Sequence, residues 1–133
     1  MIKQIAIFLE NKEGKASACC KAVKEVGVNL YALSIADTKD FGILRMITDD
    51  NVKALTALKA AGFLCSEVEL VGLEVPDKAG ALSEALIVLG DHGINVEYMY
   101  SYAGMDGQAK IAFKTATPEK AVEVLTAAGA RVI

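Results

Sequence analysis

The sequence repeats itself at about half its length. Lys12 and Lys78 are 66 residues apart, and the same shift aligns further identical residues; after one inserted residue in a hairpin near Asp106-Gly107 the shift becomes 67. The identical pairs are Lys12/Lys78, Gly14/Gly80, Ser17/Ser83, Gly27/Gly93, Asn29/Asn95, Thr48/Thr115, Lys53/Lys120, Ala54/Ala121, Leu58/Leu125, Ala60/Ala127, Ala61/Ala128 and Gly62/Gly129. A chain built this way is expected to fold as two copies of one unit.

Each half has the same order of strand-like and helix-like segments. A first strand (5–9 or 71–75) leads through a glycine loop into a helix that stops at Gly27 or Gly93. The second strands are predicted at 28–36 and 94–102 and the third at 43–48 and 110–115, with hairpin turns between them. A second helix starts near Asp50-Asn51, or at Thr117 with Pro118 in its first turn, and ends before a short closing strand. The order is βαββαβ, twice.

This order predicts an α+β fold of two ferredoxin-like repeats, at residues 1–68 and 69–133. Each repeat forms a four-stranded antiparallel sheet with both helices on one face. About 66 residues bury little apolar surface alone. The join Val68-Glu69-Leu70 lacks the composition of a flexible linker, so we expect the repeats to pack side by side. Exposed edge strands and helices favour a homodimer.

Composition narrows the compartment and the partners. The net charge is −3 and the 14 basic residues are scattered, so neither nucleic acid nor an anionic membrane is an expected partner. No apolar run is long enough to cross a membrane. The apolar start is short and lacks a basic head, so it is interpreted as a strand in a cytoplasmic protein. The three cysteines show no CxxC spacing and are expected to be reduced thiols.

The residues that could support catalysis are few. His92 is the single histidine and stands beside Gly93, where a capping or surface role is more common than a role as a base. Cys19 and Cys20 lie on the apolar side of a predicted helix, where burial raises a thiol's pKa. The acidic residues form no recognisable pair. We therefore predict no enzyme, no metal site and no cofactor.

Both halves instead keep a loop with a glycine at a helix start, and an asparagine at the start of the next strand. The glycine lets the backbone approach a ligand, and the free N–H groups of the first helical turn suit a carboxylate. An asparagine can meet a carboxylate and an ammonium together. Turn formation and a local hydrogen bond would explain these residues too, and spacing alone favours that reading. The recurrence of asparagine at both equivalent positions speaks against it.

At these residues the chain resembles the ACT domain family of amino-acid-binding regulatory modules. The resemblance is carried by residues 73–82 (LEVPDKAGAL) and 93–96 (GINV) and extends to both halves. It implies an amino acid bound between two ACT units, with an asparagine across from the loop. The implied ligand-binding residues are Asp77, Gly80, Ala81, Leu82 and Asn95 in the second repeat, and Asn11, Gly14, Lys15, Ala16 and Asn29 in the first.

The loops depart from the family pattern at several positions. The usual proline before the glycine is replaced by Ala79 in one half and by Glu13 in the other. The usual loop aspartate is Asn11 in the first repeat, and the usual leucine after the glycine is Ala16. The first-repeat loop is therefore the more altered one.

Three functions remain in view. The leading one is an amino-acid sensor; the second is an assembly module that has lost its ligand and partners a metabolic enzyme. The third is RNA binding, because Tyr98, Tyr100 and Tyr102 alternate along one strand. The third strands lack the aromatic pattern of RNA-binding sheets, and the net charge has the wrong sign, so this option is the weakest. The sequence does not name the amino acid.

Overall fold

The computed structural model describes residues 1–37 and 40–133 and confirms the duplicated βαββαβ order. The elements are β1 (Ile2–Glu10), α1 (Lys15–Glu25), β2 (Leu30–Asp37), β3 (Phe41–Thr48), α2 (Asn51–Ala60), β4 (Leu64–Pro76), α3 (Ala81–Asp91), β5 (Tyr98–Met105), β6 (Gln108–Lys114), α4 (Pro118–Ala127) and β7 (Arg131–Val132). The chain forms two compact units, Lys3–Val68 and Glu69–Ile133, the second including Met1–Ile2. The join between the repeats lies inside β4. No helix among the described residues is long and apolar enough to cross a membrane.

The two sheets have equivalent strand orders. In the first repeat the order is β2-β3-β1-β4, and in the second it is β5-β6-β4-β7. The central pairs are antiparallel, with Ile7 opposite Leu44 in the first repeat and Leu73 opposite Ile111 in the second. Directly opposed residues point to the same face of a sheet, so this register sets which residues face the helices.

The two hydrophobic cores correspond residue by residue. Ten buried residues of the first core have buried counterparts in the second at the same shift, and they come from the inner face of the sheet and from both helices. The pairs are Ile5/Val71, Ile7/Leu73, Leu9/Val75, Cys19/Ala85, Val23/Leu89, Val28/Ile94, Leu44/Ile111, Met46/Phe113, Ala54/Ala121 and Leu58/Leu125. Because each core closes on residues of its own repeat, the repeat is the folding unit that the sequence periodicity predicts.

Glycines with positive φ set the helix boundaries. Gly14 (φ 80°) and Gly80 (φ 89°) are the N-cap residues of α1 and α3, and both are left-handed. Past the other ends of these helices lie Gly27 (φ 72°) and Gly93 (φ 68°), where a left-handed glycine lets the next residues bond back to the last turn. Backbone N–H groups of Val28 and Ile94 accordingly donate to the carbonyls of Val23 (3.3 Å) and Leu89 (2.9 Å).

The second repeat differs locally from the expected strand bounds. β5 begins at Tyr98 rather than at residue 94, so Asn95 precedes the strand instead of lying in it. The β5–β6 hairpin turns at Asp106 and Gly107, both with positive φ (55° and 73°), as a type I′ turn requires. The register between these strands shifts between Tyr102 and Met105, which is where the extra residue of the second half is accommodated.

Two glycines of the same helix should respond in opposite directions to replacement by alanine. An added Cβ would meet no atom within 4 Å at either Gly80 or Gly90, but only Gly80 has a left-handed φ. We expect Gly80→Ala to lower the free energy of unfolding by about 1–2 kcal/mol through backbone strain. Gly90→Ala, inside α3, should raise it by about 0.5–1 kcal/mol. Chemical denaturation of both variants measures this, and equal effects would contradict the assignment of strain to residue 80.

Candidate functional site

Three of the five residues implied in the first repeat line one small cavity. Asn11, Lys15 and Ala16 surround a space of about 100 Å³ together with Leu9, Glu10, Lys12, Ile35 and Gly42. The loop is held to the β2–β3 hairpin, because the backbone N–H of Asn11 donates to the carbonyl of Asp40 (2.9 Å). The volume equals that of about three water molecules. It can hold a small polar head group, and a larger ligand would extend beyond it.

The helix that starts at this cavity has no side-chain cap. Gly14 supplies no side chain to accept from the first turn of α1, and the same holds for Gly80 at α3. At α2, by contrast, the Asp50 carboxylate accepts from the backbone N–H of Lys53 at 3.1 Å. The first N–H of each helix donates within its loop, from Lys15 to the Lys12 carbonyl (3.4 Å) and from Ala81 to the Lys78 carbonyl (3.3 Å). The next two N–H groups of α1 and α3 are left for water or a ligand. The space beside both glycines is open, since an added Cβ would meet nothing within 4 Å.

The charges around the first-repeat loop favour an anion. Lys12 and Lys15 line the cavity, and the first turn of α1 has no acidic residue. Lys12 also makes a 3.6 Å ion pair with Glu10, but both groups are largely exposed, so the pair contributes little. The first turn of α3 contains Glu84, which opposes an anion there. Counted with Glu10, which also lines it, the cavity has a formal lining charge of +1, while Glu13 of the same loop is exposed.

The second-repeat loop has the same backbone but a different cavity beside it. The backbone N–H of Asp77 donates to the carbonyl of Gly107 (2.8 Å), as Asn11 does to Asp40. Of the residues implied here, only Ala81 lines the neighbouring cavity of about 440 Å³, which lies towards β7 and α4. Asp77 and Gly80 are exposed and Leu82 is half-buried.

Within a repeat, the asparagine lies at the opposite end of the sheet from the loop. Asn29 precedes β2 and its carbonyl accepts from the backbone N–H of Asp49 (3.1 Å), just past the end of β3, whereas the loop is bonded to Asp40 at the start of β3. Asn95 likewise lies near Lys114, because the N–H of Glu97 donates to the Lys114 carbonyl (2.9 Å). Strands of this length separate the two ends by roughly 20 Å. No single repeat can close a site that uses both loop and asparagine.

The two asparagines do not have the local structural role that spacing alone suggests. At the start of β2 the side chain of Asp49, not that of Asn29, accepts from the Asn29 backbone N–H (3.0 Å). Asn29 and Asn95 are both exposed, and the hydrogen bonds found among the described residues leave their side-chain amides unused. Their amides are therefore available to a ligand or a partner.

The side chains considered for catalysis, His92 and the cysteines, are engaged in a helix cap or are wholly or partly buried. The Nδ1–H of His92 donates to the Val88 carbonyl (2.8 Å), and Lys120 Nζ donates to the carbonyl of His92 itself (2.9 Å). His92 is thus the C-cap of α3. Burial, with smaller contributions from Cys20 and Cys65, raises the pKa of Cys19 to about 11. No cluster of three or more metal-ligating side chains occurs in residues 1–37 and 40–133.

The three alternating tyrosines share one sheet face with charged residues. Tyr98, Tyr100 and Tyr102 lie opposite Lys114, Ala112 and Lys110, on the face away from the helices. All three rings are only partly accessible. Burial, and then the charge of Glu74, raises the pKa of Tyr102 to about 12. A half-buried ring beside a carboxylate is a poor platform for stacking anionic RNA.

Burial should protect one cysteine from chemical modification. Cys19 is fully buried and its pKa is about 11, so very little thiolate is present near neutral pH. We expect brief treatment of the folded protein with iodoacetamide to leave Cys19 unmodified, while denaturant makes all three cysteines reactive. Peptide mass spectrometry measures this. Modification of Cys19 in the folded protein as fast as in denaturant would contradict its burial.

Comparison with known proteins agrees with this geometry. Residues 1–131 match the family described as an ACT domain pair. The chain belongs to this family. ACT domains are regulatory units, and the two repeats are accordingly the two ACT domains of the pair. No functionally curated protein matches the chain in sequence.

Solved structures show the same fold. Protein BT0572 from Bacteroides thetaiotaomicron is 37% identical, with a TM-score of 0.92 over 99% of this chain and 91% of that one. Regulatory subunits of aspartate kinase share the fold at low identity. The Thermus thermophilus subunit is 14% identical with a TM-score of 0.67, and the Thermus flavus subunit 15% with 0.64; each match covers 95% of this chain and 91% of the other.

Sequence reasoning missed several residues around the cavities. Lys12 and Ile35 line the first-repeat cavity, and Lys78 and Glu84 line that of the second repeat. A signal for the lysines existed, because Lys12 and Lys78 are one of the identical pairs of the duplication. Ile35 is brought to the loop only by the pairing of β2 with β3, so no local pattern could have found it.

Proposed function

We propose that this ACT domain pair is a non-catalytic sensor that binds a free amino acid beside the β1–α1 loop. The observation that carries the proposal is the cavity of the first repeat, where Asn11, Lys15 and Ala16 surround an electropositive space. The N–H groups in the first turn of α1 and the ammonium of Lys15 suit a carboxylate. The loop between β4 and α3 in the second repeat is a second candidate site for the ligand carboxylate, but a less favourable one, because Glu84 lies in the first turn of α3.

A site of this kind needs an acceptor for the ammonium group of the ligand. An asparagine amide oxygen would serve, but Asn29 lies at the far end of its own sheet from the loop. A site that uses both the β1–α1 loop and an asparagine of this kind has to combine two ACT repeats. We propose that a second copy of the chain supplies the asparagine.

The edge strand β2 supports such a dimer. β2 is at the end of the strand order, and among the described residues it pairs only with β3. Its sequence from Leu30 to Ala36 contains no charged residue and no proline. Tyr31, Leu33 and Ile35 are 51%, 46% and 54% exposed. Charged residues and proline commonly block the pairing of edge strands. A long apolar edge that lacks them is suited to pairing with another strand.

Antiparallel pairing of two β2 strands would also complete the site. A two-fold axis near Leu33 and Ser34 would bring the Asn29 end of one strand beside the Asp37 end of the other. Asp37 is opposite Gly42, and Gly42 lines the first-repeat cavity. The asparagine of one copy would therefore reach the loop of the other, which resolves the separation of roughly 20 Å within one repeat.

A thermal-shift screen of the twenty amino acids at millimolar concentration tests the sensor function. A ligand at one hundred times its Kd should stabilise the protein by about 2.7 kcal/mol, and we expect at least one amino acid to do so. Asn29→Ala should abolish that shift. The matched control is Asn51→Ala, whose side chain bonds to Thr48 and to the Lys3 carbonyl; it should lower stability but keep the shift. No shift with any amino acid would refute the proposal.

The role of the edge strand has its own test. We expect Leu33→Lys to make the chain monomeric in analytical ultracentrifugation and to abolish the amino-acid response, because it places a charge on the pairing edge. Val52→Lys is the control, since Val52 is 77% exposed on α2 and lies away from that edge. A monomeric Leu33→Lys variant with an unchanged ligand response would exclude the dimeric site.

The second candidate function is an assembly module that partners a metabolic enzyme without binding a ligand. The same apolar edge of β2 favours it, because that surface serves assembly whether or not an amino acid is present. The two functions separate on Asn29→Ala. Loss of the ligand response with intact assembly supports the sensor, whereas the absence of any ligand response, together with an edge-dependent assembly, supports the module.

A further inference from the structure

The second repeat contains a cavity beside a position where the first repeat has a larger side chain. It measures about 440 Å³ and lies between α3, the end of α4 and the last residues of β4, within the range typical of small-molecule sites. Its apolar lining includes Val75, Ala81, Ala85, Val88, Leu125 and Ala130. The counterpart of Ala130 in the first repeat is Phe63, which packs against the first core. At this position of the duplicated fold the second repeat thus has a small side chain where the first has an aromatic ring.

This cavity lies on a different side of its strand–helix loop, between β4 and α3, than the first-repeat cavity does of the loop between β1 and α1. The first-repeat cavity is bounded by Ile35 of β2, whereas this one is bounded by Ala130 and Arg131 at β7. β7 is short and pairs with β4 only at Leu73 and Glu74, so the cavity borders the end of β4 beyond that pairing. Neither Asn95 nor Gly80 lines it. All of its lining residues belong to the second repeat.

The polar groups of the cavity match a ligand with two opposite charges. Lys78 and Glu84 both line it and both are exposed. Glu74 and Arg131 also border it but are paired with each other, Oε1 to Nη1, at 3.2 Å. The positive end of α3 lies at Ala81 and the negative end of α4 at Ala128, and both residues line the cavity. The negative end of α4 favours a ligand ammonium, as Glu84 does.

We propose that this cavity is a second ligand site, specific for a zwitterionic amino acid with a small aliphatic side chain. Lys78 binds the carboxylate, and Glu84 and the end of α4 bind the ammonium. Val88 and Ala130, which line the cavity and are partly accessible, contact the side chain. The inference rests on the proposed function for the class of ligand, and it goes beyond that function in placing a site inside one repeat, independent of dimerisation.

Methyl NMR of the full chain with L-valine as the probe tests the site. L-Valine should shift the methyl resonances of Val75, Val88 and Leu125 in a saturable way, and isovalerate or isobutylamine, each lacking one charge, should bind at least tenfold more weakly. Ala130→Phe should abolish the shifts by filling the cavity. Ile87→Phe is the matched control, because it adds an aromatic ring to the exposed face of α3 (Ile87 is 57% exposed) and should leave binding unchanged.

Charge variants keep the test decisive if Ala130→Phe does not fold. Lys78→Gln and Glu84→Gln change exposed side chains, and each should weaken L-valine binding about tenfold. The proposal is overturned if the methyl groups do not respond at tens of millimolar L-valine, if the shifts survive in Ala130→Phe, or if both charge variants bind normally. If isovalerate and isobutylamine shifted the methyl resonances as strongly as L-valine at the same concentration, the zwitterion assignment would be overturned.

The outcome is distinguishable from that of the proposed function. If Asn29→Ala abolishes every amino-acid response, including the methyl shifts, all binding belongs to the loop site and this inference fails alone. If L-valine shifts the methyl resonances in wild type, Asn29→Ala and Leu33→Lys alike, while no amino acid gives an Asn29-dependent response, the loop site fails and the cavity stands.

Discussion

The antiparallel pairing of each repeat's central strands is the constraint on which the other features depend. By placing Ile7 opposite Leu44, and Leu73 opposite Ile111, it sends one set of side chains into the core beneath the helices and the alternate set to the other face. The same pairing puts the β1–α1 loop at one end of the sheet and the asparagine before β2 at the other. The core and the incompleteness of the loop site thus follow from one register, and a ligand that uses both loop and asparagine must join two repeats.

The fold was largely predictable because duplication provides an internal comparison. Identities such as Gly27/Gly93 and Leu58/Leu125 mark helix ends and core positions, and the ten matched core pairs show that the duplication extends to the core. The start of β5 was less predictable. Residues 94–97 have strand-like composition, but the backbone of this segment joins the ladder only from Glu97, whose N–H donates to Lys114, and pairing partners are not visible in local composition.

The candidate site was predictable in residue type but not in arrangement. Glycine at 14 and 80 is explained by a left-handed backbone that any family with this loop would require, so its presence does not by itself locate a ligand. What distinguishes the loops is the set of residues that the fold brings beside them. Ile35 lines one cavity from a neighbouring strand, and Ala130 lines the other, at a position where the first repeat has a phenylalanine. The substitution of Phe63 by Ala130 could be read from the aligned halves. Its meaning required knowing that the ring of Phe63 packs against the core of its own repeat.

The two repeats also differ on the sheet face away from the helices, where the backbone demands nothing particular. Phe8, Ile43 and Leu64 of the first repeat correspond to Glu74, Lys110 and Arg131 of the second. Phe8 stacks on Phe41 with 5.0 Å between ring centroids and is still 48% exposed, while Glu74 is paired with Arg131. Apolar side chains in one copy and an ion pair in the other cannot serve the same contact, because burying the charged set would cost far more than burying the apolar one. The core is shared because packing requires it, whereas packing leaves this outer face free to differ between the two ACT domains.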